Sequence, residues 1–190
     1  PVRALRINYM GELGWELHHP MKQMESLYDA IYEVGKKDNI TNFGTYAVNS
    51  LRMEKAYRGW GAELTGEISL VEAGMDRFFN LNKKSNFIGS EILREKLQSG
   101  VAIKIVYLEL DVSDADARGN EPVYHNNKIV GVVTSGGYGF RVNKSLAFAY
   151  VHFDLSKEGT ELFVEIQGQK KKAKILNTPA YDPDNNKLKS

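Results

Sequence analysis

The chain has 190 residues, of which 42% are hydrophobic and 26% charged, a composition that can bury a core and argues against disorder. Its formal net charge of +1 gives no electrostatic reason to expect binding to nucleic acid or to an anionic membrane. Cysteine is absent, which excludes disulfides and thiolate chemistry and fits a reducing compartment, the cytoplasm or the mitochondrial matrix of a eukaryote.

The first predicted element is a hairpin, in which two short strands flank a turn bracketed by glycines. Gly11 and Gly14 suit the backbone angles that a tight turn requires. We expect a four-residue loop over residues 10–13, so that Tyr9 pairs with Gly14. This register decides which side chains share a face of the hairpin.

Alternation along the two strands then separates the side chains into two groups. Tyr9, Glu16 and His18 would lie on one face, and Trp15 and Leu17 would point into the core. The polar face would present a phenol, a carboxylate and an imidazole to one small molecule. By spacing alone, the simpler interpretation is a surface hairpin whose polar face meets water.

Three helices are predicted between the hairpin and residue 100. Pro20 is expected to open the first helix, because a proline at the first helical position loses no hydrogen bond, and Gly35 is expected to end it. The apolar residues of this helix recur at helical spacing, which predicts that it packs into the core. The other elements predicted in this part are helices at residues 46–57 and 89–100 and one or two short strands at residues 70–81.

From residue 101 onward the hydrophobic pattern changes to the period of two that is typical of β-strands. The dipeptide Asn126-Asn127 between two apolar pairs indicates a hairpin turn, and further turns are expected at residues 136–139 and at Gly168. Short strands without helices between them predict a small antiparallel barrel. The predicted class is α+β, with a domain boundary after residue 86. Strands are expected at residues 102–110, 123–124, 129–130, 146–153, 162–166 and 170–175.

Several segments of the chain resemble, in the same order, the motifs of one known family. Residues 9–17, Tyr-Met-Gly-Glu-Leu-Gly-Trp-Glu-Leu, are similar to the signature of the folate-binding aminomethyltransferases, the glycine-cleavage T-proteins. They are more similar still to its version at the C-terminal end of dimethylglycine and sarcosine dehydrogenases. The resemblance implies an incomplete folate-binding aminomethyltransferase core in residues 1–86 and the family's C-terminal β-barrel domain in residues 87–190. The other matching segments are residues 50–58, 71–78, 87–89, 134–139, 144–151 and 181–183.

The resemblance assigns the recognition of the pterin ring to Glu16 and Tyr9. A pterin presents a ring N–H and an amino group side by side, and one carboxylate accepts both hydrogen bonds. His18 resembles a further folate contact, with a solvated histidine at a strand end as the alternative. Arg77 occupies a position that resembles a contact to the folate tail, where it would stack on the benzoyl ring or pair with the glutamate carboxylate. A surface charge is the alternative for Arg77.

Other residues of the chain are interpreted as structural. Glu12, in the turn, is expected to cap the backbone or to face solvent, and Arg52 to form an ion pair with Glu54 or Glu72. Val48 stands where T-proteins carry an arginine, which favours the dehydrogenase branch of the family. The adjacent histidines that end the hairpin lack a cluster of carboxylates or cysteines at ligand spacing, so no metal site is predicted.

The resemblance also implies what the complete protein does. In the dehydrogenases a flavin oxidises an N-methyl amine, and tetrahydrofolate captures the one-carbon unit as 5,10-methylenetetrahydrofolate. The family's aspartate that assists the folate amine and its FAD-binding part lie upstream of the residues that this chain resembles. The strand pattern also begins by Ala4 without a leading element. We therefore expect a fragment that contains no catalytic residue and is not active alone.

The expected partners are tetrahydrofolate, a one-carbon donor and the N-terminal flavin and aminomethyltransferase half, with FAD bound only in that half. Neither nucleic acid nor a membrane is expected as a partner. The alternatives are a part of a free-standing aminomethyltransferase, a part of a folate-dependent demethylase, and a non-catalytic folate-binding or interface module.

Overall fold

The computed structural model describes all 190 residues and confirms the α+β class, with helices in the first part of the chain and a closed barrel in the second. A two-stranded sheet comes first, formed by β1 (Arg3–Leu5) and β2 (Glu16–His18). The helices are α1 (Met24–Gly35), α2 (Thr45–Glu54), α3 (Ser90–Ser99) and a terminal turn, α4 (Asn186–Lys189). The barrel strands are β3 (Ile103–Leu110), β4 (Pro122–His125), β5 (Lys128–Gly139), β6 (Lys144–His152), β7 (Leu162–Ile166) and β8 (Gln169–Leu176).

The hairpin forms, but its register differs from the prediction. Leu5, and not Tyr9, is the last paired residue of β1, and it lies opposite Glu16. The predicted pairing of Tyr9 with Gly14 is wrong because the chain leaves the strand earlier: the Asn8 side chain accepts hydrogen bonds from the backbone of Met10 and Gly11. A ten-residue connection, residues 6–15, therefore replaces the predicted four-residue loop.

The expected inward face of the hairpin is also not buried. Trp15 is 57% exposed and Leu17 38% exposed, so neither reaches a core. Glu16 and His18 do share a face, as alternation requires, whereas Tyr9 lies outside the paired segment. The small sheet contributes little apolar burial of its own.

Helix α1 has the predicted boundaries but not the predicted packing. Pro20 precedes a single 3₁₀ turn, and the helix continues to Gly35. None of its residues is buried, and Met24, Ile31 and Val34 are exposed. Its amphipathic pattern is real, yet no other element of the chain covers the apolar face. The prediction of a core helix is therefore wrong for this chain.

Two other local predictions differ from the structure. Helix α2 ends at Glu54, three residues before the predicted end, because Ala56 adopts a left-handed backbone with φ +56° that a helix cannot continue through. The strands expected at residues 70–81 do not form; turns and one 3₁₀ turn, Asp76–Phe78, replace them. No helix of the structure is both long and apolar enough to cross a lipid bilayer.

The six remaining strands close an antiparallel barrel in the order β3-β6-β5-β4-β7-β8, which confirms the predicted barrel. Asn126 and Asn127, with φ +49° and +62°, form the expected hairpin turn between β4 and β5. The turn predicted at residues 136–139 is wrong, because β5 continues through them. Gly136 lies directly against the backbone of Ala117, so the absence of a side chain lets the connection between β3 and β4 approach β5 closely.

Strand β6 is buried on both faces and joins the barrel to the first part of the chain. One face, with Ala147, Ala149 and Val151, belongs to the barrel interior. The other face, with Phe148 and its neighbours Leu146 and Tyr150, forms a second apolar cluster with residues from the end of α2. This second cluster fixes α2 against the outside of the barrel, and the segment after α2 borders a cavity of about 700 Å³. The α2 residues in the cluster are Met53 and, just beyond the helix, Ala56.

Candidate functional site

A cavity of about 700 Å³ lies where the hairpin connection, the end of α2, strands β3 and β8 and the C-terminal segment meet. This volume is within the range of about 300–1,000 Å³ that is typical of small-molecule sites. No aspartate or glutamate lines the cavity. The lining residues include Asn8, Tyr9, residues 55–58, 74–75, 77–78, 104–107 and 175–179, and Pro183.

Two tyrosines form an aromatic wall of this cavity. The Tyr9 ring stacks on Tyr57, with ring centroids 5.9 Å apart and planes 16° apart. The Tyr9 hydroxyl donates a hydrogen bond of 2.6 Å to the carbonyl of Arg58. Burial raises the pKa of the Tyr9 hydroxyl and of the Tyr57 hydroxyl, so both remain neutral donors at physiological pH. A stacked, neutral aromatic pair suits contact with a flat ligand.

The cavity lining carries more positive charge than its local partners neutralise. Four cationic side chains line it, and two of them have carboxylate partners: Lys55 with Asp182 and Lys104 with Asp76. The other two, Arg58 and Arg77, contact no carboxylate. The cavity therefore favours a ligand with negative charge.

Arg58 is held in place by neutral groups alone. Its guanidinium donates to the carbonyls of Ala56 at 2.8 Å and Ala73 at 3.2 Å, and lies 5.3 Å from the centroid of the Phe148 ring. Burial, and then the nearby charge of Arg77, lower the pKa of Arg58 from its ordinary value. An anion bound beside Arg58 would stabilise its buried positive charge and offset the repulsion from Arg77.

A buried carboxylate fixes the segment that carries Tyr57 and Arg58. Glu63 is fully buried and accepts hydrogen bonds from Arg52 at 3.2 Å, from the Gly59 backbone and the Thr134 hydroxyl at 2.6 Å each, and from Ser135. The same guanidinium of Arg52 donates to the carbonyl of Tyr57. The predicted ion pair of Arg52 with Glu54 or Glu72 is wrong; Glu63 is the partner.

Glu12 also has a different role from the one predicted. Its carboxylate accepts hydrogen bonds from Arg141 at 2.6 Å and from the Tyr181 hydroxyl at 2.5 Å. The hydrogen bond to Glu12, together with burial, raises the pKa of the Tyr181 hydroxyl. Glu12 therefore ties the hairpin connection to the barrel and to the C-terminal segment instead of capping its own turn.

The four residues predicted for folate binding fall into two places. Tyr9 and Arg77 line the cavity, whereas Glu16 and His18 do not. His18 Nε2 lies 3.2 Å from Glu16 Oε2, and each of these side chains is about half exposed. The Glu16 carboxylate has no other polar partner in the chain, so its second oxygen is open to a ligand. No cluster of three or more histidine, cysteine, aspartate or glutamate side chains is close enough to hold a metal ion.

The sequence interpretation assigned no ligand role to three cavity residues, Tyr57, Arg58 and Lys104. Tyr57 and Arg58 lie in a segment that resembles a family motif. An aromatic residue followed by an arginine just after a helix is the sequence feature that indicates a ligand contact there. Lys104 carried no signal, because one lysine at the start of a strand is ordinary for an exposed position. Its place beside the cavity depends on how the barrel meets the turn at Asp76.

Comparison with known proteins identifies two family models along the chain. Residues 1–83 match the GCVT N-terminal domain, and residues 104–182 match the glycine cleavage T-protein C-terminal barrel domain. A crystal structure of glycine cleavage system aminomethyltransferase T from Bartonella henselae is similar in fold, with a TM-score of 0.86 and 27% sequence identity. The similarity covers 95% of this chain and 50% of that chain.

Several curated proteins are similar over nearly the whole chain. Human mitochondrial dimethylglycine dehydrogenase is 45% identical over 99% of the chain, and mouse mitochondrial sarcosine dehydrogenase 33% identical over 99%. An aminomethyltransferase of Geobacillus sp. (strain WCH70) is 32% identical over 95% of the chain. The chain spans 22% and 21% of the two dehydrogenases and 50% of the aminomethyltransferase.

Proposed function

Because the chain belongs to the glycine-cleavage T-protein family, we propose that it is the tetrahydrofolate-binding C-terminal portion of an enzyme similar to dimethylglycine and sarcosine dehydrogenases. The observation that carries the proposal is the cavity with stacked tyrosines and an excess of cations. Folate has a flat ring system at one end and carboxylates at the other. An aromatic wall and unpaired arginines match those two chemical features.

The cavity residues that would hold folate are Tyr9, Tyr57, Arg58 and Arg77. The tyrosine pair offers an apolar surface for an aromatic ring, and Arg58 and Arg77 offer charge to a carboxylate. The absence of any acidic lining residue removes the repulsion that a carboxylate would otherwise meet. These contacts position a ligand; no group among them supplies a nucleophile or a general base.

Glu16 is proposed as the acceptor for the pterin ring, with Tyr9 as its partner and His18 as a further contact. This assignment is supported by the family signature at residues 9–17 and by the open second oxygen of the Glu16 carboxylate. A carboxylate that accepts two parallel N–H donors binds them with about twice the strength of neutral partners. Glu16 lies outside the cavity lining and would form a separate contact with the ring end of folate.

The reaction proposed for the complete protein is the capture of a one-carbon unit from an oxidised N-methyl amine as 5,10-methylenetetrahydrofolate. Bound tetrahydrofolate supplies the nucleophilic nitrogen, and the residues of this chain bind and orient it. The identity of 45% to a dimethylglycine dehydrogenase supports this assignment over a free-standing aminomethyltransferase. Val48 also favours the dehydrogenase branch, because T-proteins carry an arginine at the corresponding position.

Replacing Glu16 with alanine is expected to weaken tetrahydrofolate binding about ten-fold or more. Loss of a charge-assisted, two-donor contact costs about 1.5–3 kcal/mol, and each 1.4 kcal/mol is a factor of ten in affinity. Isothermal titration calorimetry of the 190-residue chain with tetrahydrofolate measures the change. Glu67→Ala is the matched control, because Glu67 is exposed and does not line the cavity. Equal affinities of wild type and Glu16→Ala would contradict the pterin assignment.

Replacing Arg77 with methionine is expected to weaken tetrahydrofolate binding about two- to five-fold, since an exposed ion pair contributes at most about 1 kcal/mol. Binding of tetrahydropteroate, which lacks the glutamate, is expected to be unchanged. Arg118→Met, at an exposed arginine between β3 and β4, is the control. The same loss for both ligands would show that Arg77 does not recognise the glutamate carboxylates.

A further inference from the structure

We propose that Arg141 is a positioning residue of the folate site, which holds the hairpin connection carrying Tyr9 against the barrel and the C-terminal segment. The inference rests on the proposed function for the identity of the ligand. It follows from the contacts of one guanidinium that bridges three distant parts of the chain. Arg141 itself does not line the cavity, so its effect on a ligand would pass through the residues that it holds.

One side of Arg141 is anchored to a buried carboxylate. The Glu54 side chain, at the end of α2, is fully buried and accepts hydrogen bonds from the Arg141 backbone N–H at 2.7 Å and from its Nε. A second acceptor at the same helix is the carbonyl of Leu51, 3.3 Å from Nη2. Because Glu54 is fixed by its helix, the plane of the Arg141 guanidinium is fixed as well.

The other side of Arg141 faces the hairpin connection. Nη1 donates to Glu12 at 2.6 Å, and Nη2 donates to the carbonyl of Met10 at 3.0 Å. The Tyr181 hydroxyl donates to the same Glu12 oxygen, and the Tyr181 ring centroid lies 3.7 Å from the guanidinium carbon. The C-terminal segment and the connection therefore both contact Arg141, and they are also joined directly by the hydrogen bond from Tyr181 to Glu12.

These contacts include three of the four hydrogen bonds that tie the middle of the connection, residues 8–14, to the rest of the molecule. The only other hydrogen bond that leaves this segment is from the Tyr9 hydroxyl to the Arg58 carbonyl. Met10, whose carbonyl Arg141 holds, directly follows Tyr9 in the chain. The Gly11 backbone, with φ +77°, lies against the buried Lys55 side chain. Arg141 thus sets where Tyr9 meets the cavity.

Two substitutions separate this role from general stability. Arg141→Lys keeps a cation beside Glu54 but cannot reach Glu54, Glu12 and the Met10 carbonyl together, because a lysine has one compact donor group. Glu12→Ala removes the carboxylate that contacts Arg141 and Tyr181, but keeps the contact of Arg141 with the Met10 carbonyl and the pair of Arg141 with Glu54. Lys144→Met is the matched control, since Lys144 is a nearby cation that pairs with Glu109 and not with the connection.

Two measurements on the ligand-free and ligand-bound chain test the proposal. We expect amide hydrogen exchange at residues 9–14 to accelerate in Arg141→Lys and Glu12→Ala and to stay unchanged in Lys144→Met. If the connection then occupies its binding-competent position about one tenth of the time, the Kd for tetrahydrofolate rises about ten-fold. The double variant is expected to bind about as weakly as Arg141→Lys alone, because both substitutions break the contact between Arg141 and Glu12.

The outcomes distinguish this inference from the proposed function. Faster exchange with unchanged affinity, or weaker affinity with unchanged exchange, would overturn the positioning role of Arg141. If wild type does not bind tetrahydrofolate, the proposed function fails. Unchanged hydrogen exchange at residues 9–14 in both variants would show that Arg141 does not hold the connection in place. If Lys144→Met changes exchange and affinity as much as Arg141→Lys does, the effect is a general loosening of the turn between β5 and β6 and not a loss of the contacts of Arg141, which would overturn the proposal.

Discussion

Replacing Glu63 with alanine is expected to lower the free energy of unfolding by about 3–5 kcal/mol, the usual cost of leaving the partner of a buried ion pair uncompensated. Arg52 is only 6% exposed and would lose its one carboxylate partner. The Thr134 hydroxyl and the Gly59 N–H would lose an acceptor at the same time. Urea denaturation followed by circular dichroism measures the change.

A double variant shows whether the cost comes from the stranded cation. Arg52→Met combined with Glu63→Ala is expected to be less destabilising than the sum of the two single variants, because neither charge is then left alone. Glu67→Ala, at an exposed glutamate of the same loop region, is expected to change stability by less than about 0.5 kcal/mol. A loss below 1 kcal/mol for Glu63→Ala would contradict this account of the network.

Replacing Phe148 with alanine is expected to cost about 3–5 kcal/mol through the cavity that it leaves. Phe148 is fully buried, and its ring centroid lies 5.2 Å from that of Tyr107 in the cluster between α2 and the barrel. The Phe148 ring also faces the guanidinium of Arg58, whose central carbon lies 5.3 Å from the ring centroid. The substitution therefore acts on the fold and on the cation-rich side of the candidate site together.

Thermal and urea unfolding of three variants tests this expectation. Phe148→Leu keeps most of the apolar volume and is expected to cost less than Phe148→Ala. Phe140→Ala removes a phenylalanine that is 73% exposed and is expected to be nearly neutral. Equal effects of Phe148→Ala and Phe140→Ala would mean that the second apolar cluster does not stabilise the molecule.

The elements that the sequence predicts well are those whose signals are local. Helix α3 lies between Gly89 and Gly100, as the predicted range of residues 89–100 requires, and the Asn126-Asn127 turn joins the expected strands. The barrel follows from strands with a period of two and short connections. The hairpin register failed for a local reason as well: the Asn8 side chain binds the following backbone, a turn that strand alternation does not reveal.

The sequence does not predict how the elements of this chain pack against one another. The pattern of α1 correctly predicts a helix with an apolar face, but only the tertiary structure shows that nothing in this chain covers it. Of the predicted folate contacts, Tyr9 and Arg77 reach the cavity while Glu16 and His18 remain on the hairpin surface. A motif names residue types and their spacing, and it does not state which cavity each side chain enters.

The sequence by itself determined the α+β class, the barrel, most element boundaries and the resemblance to a folate-binding family, because these depend on propensities and patterns within a few residues. Only the tertiary structure decided that Glu63 is the partner of Arg52 and that Arg141 joins Glu54 to Glu12. Many carboxylates along the chain could pair with each arginine. Packing makes the choice by burying Glu63 beside Arg52 and Glu54 beside Arg141, because a buried charge without a partner is too costly to persist.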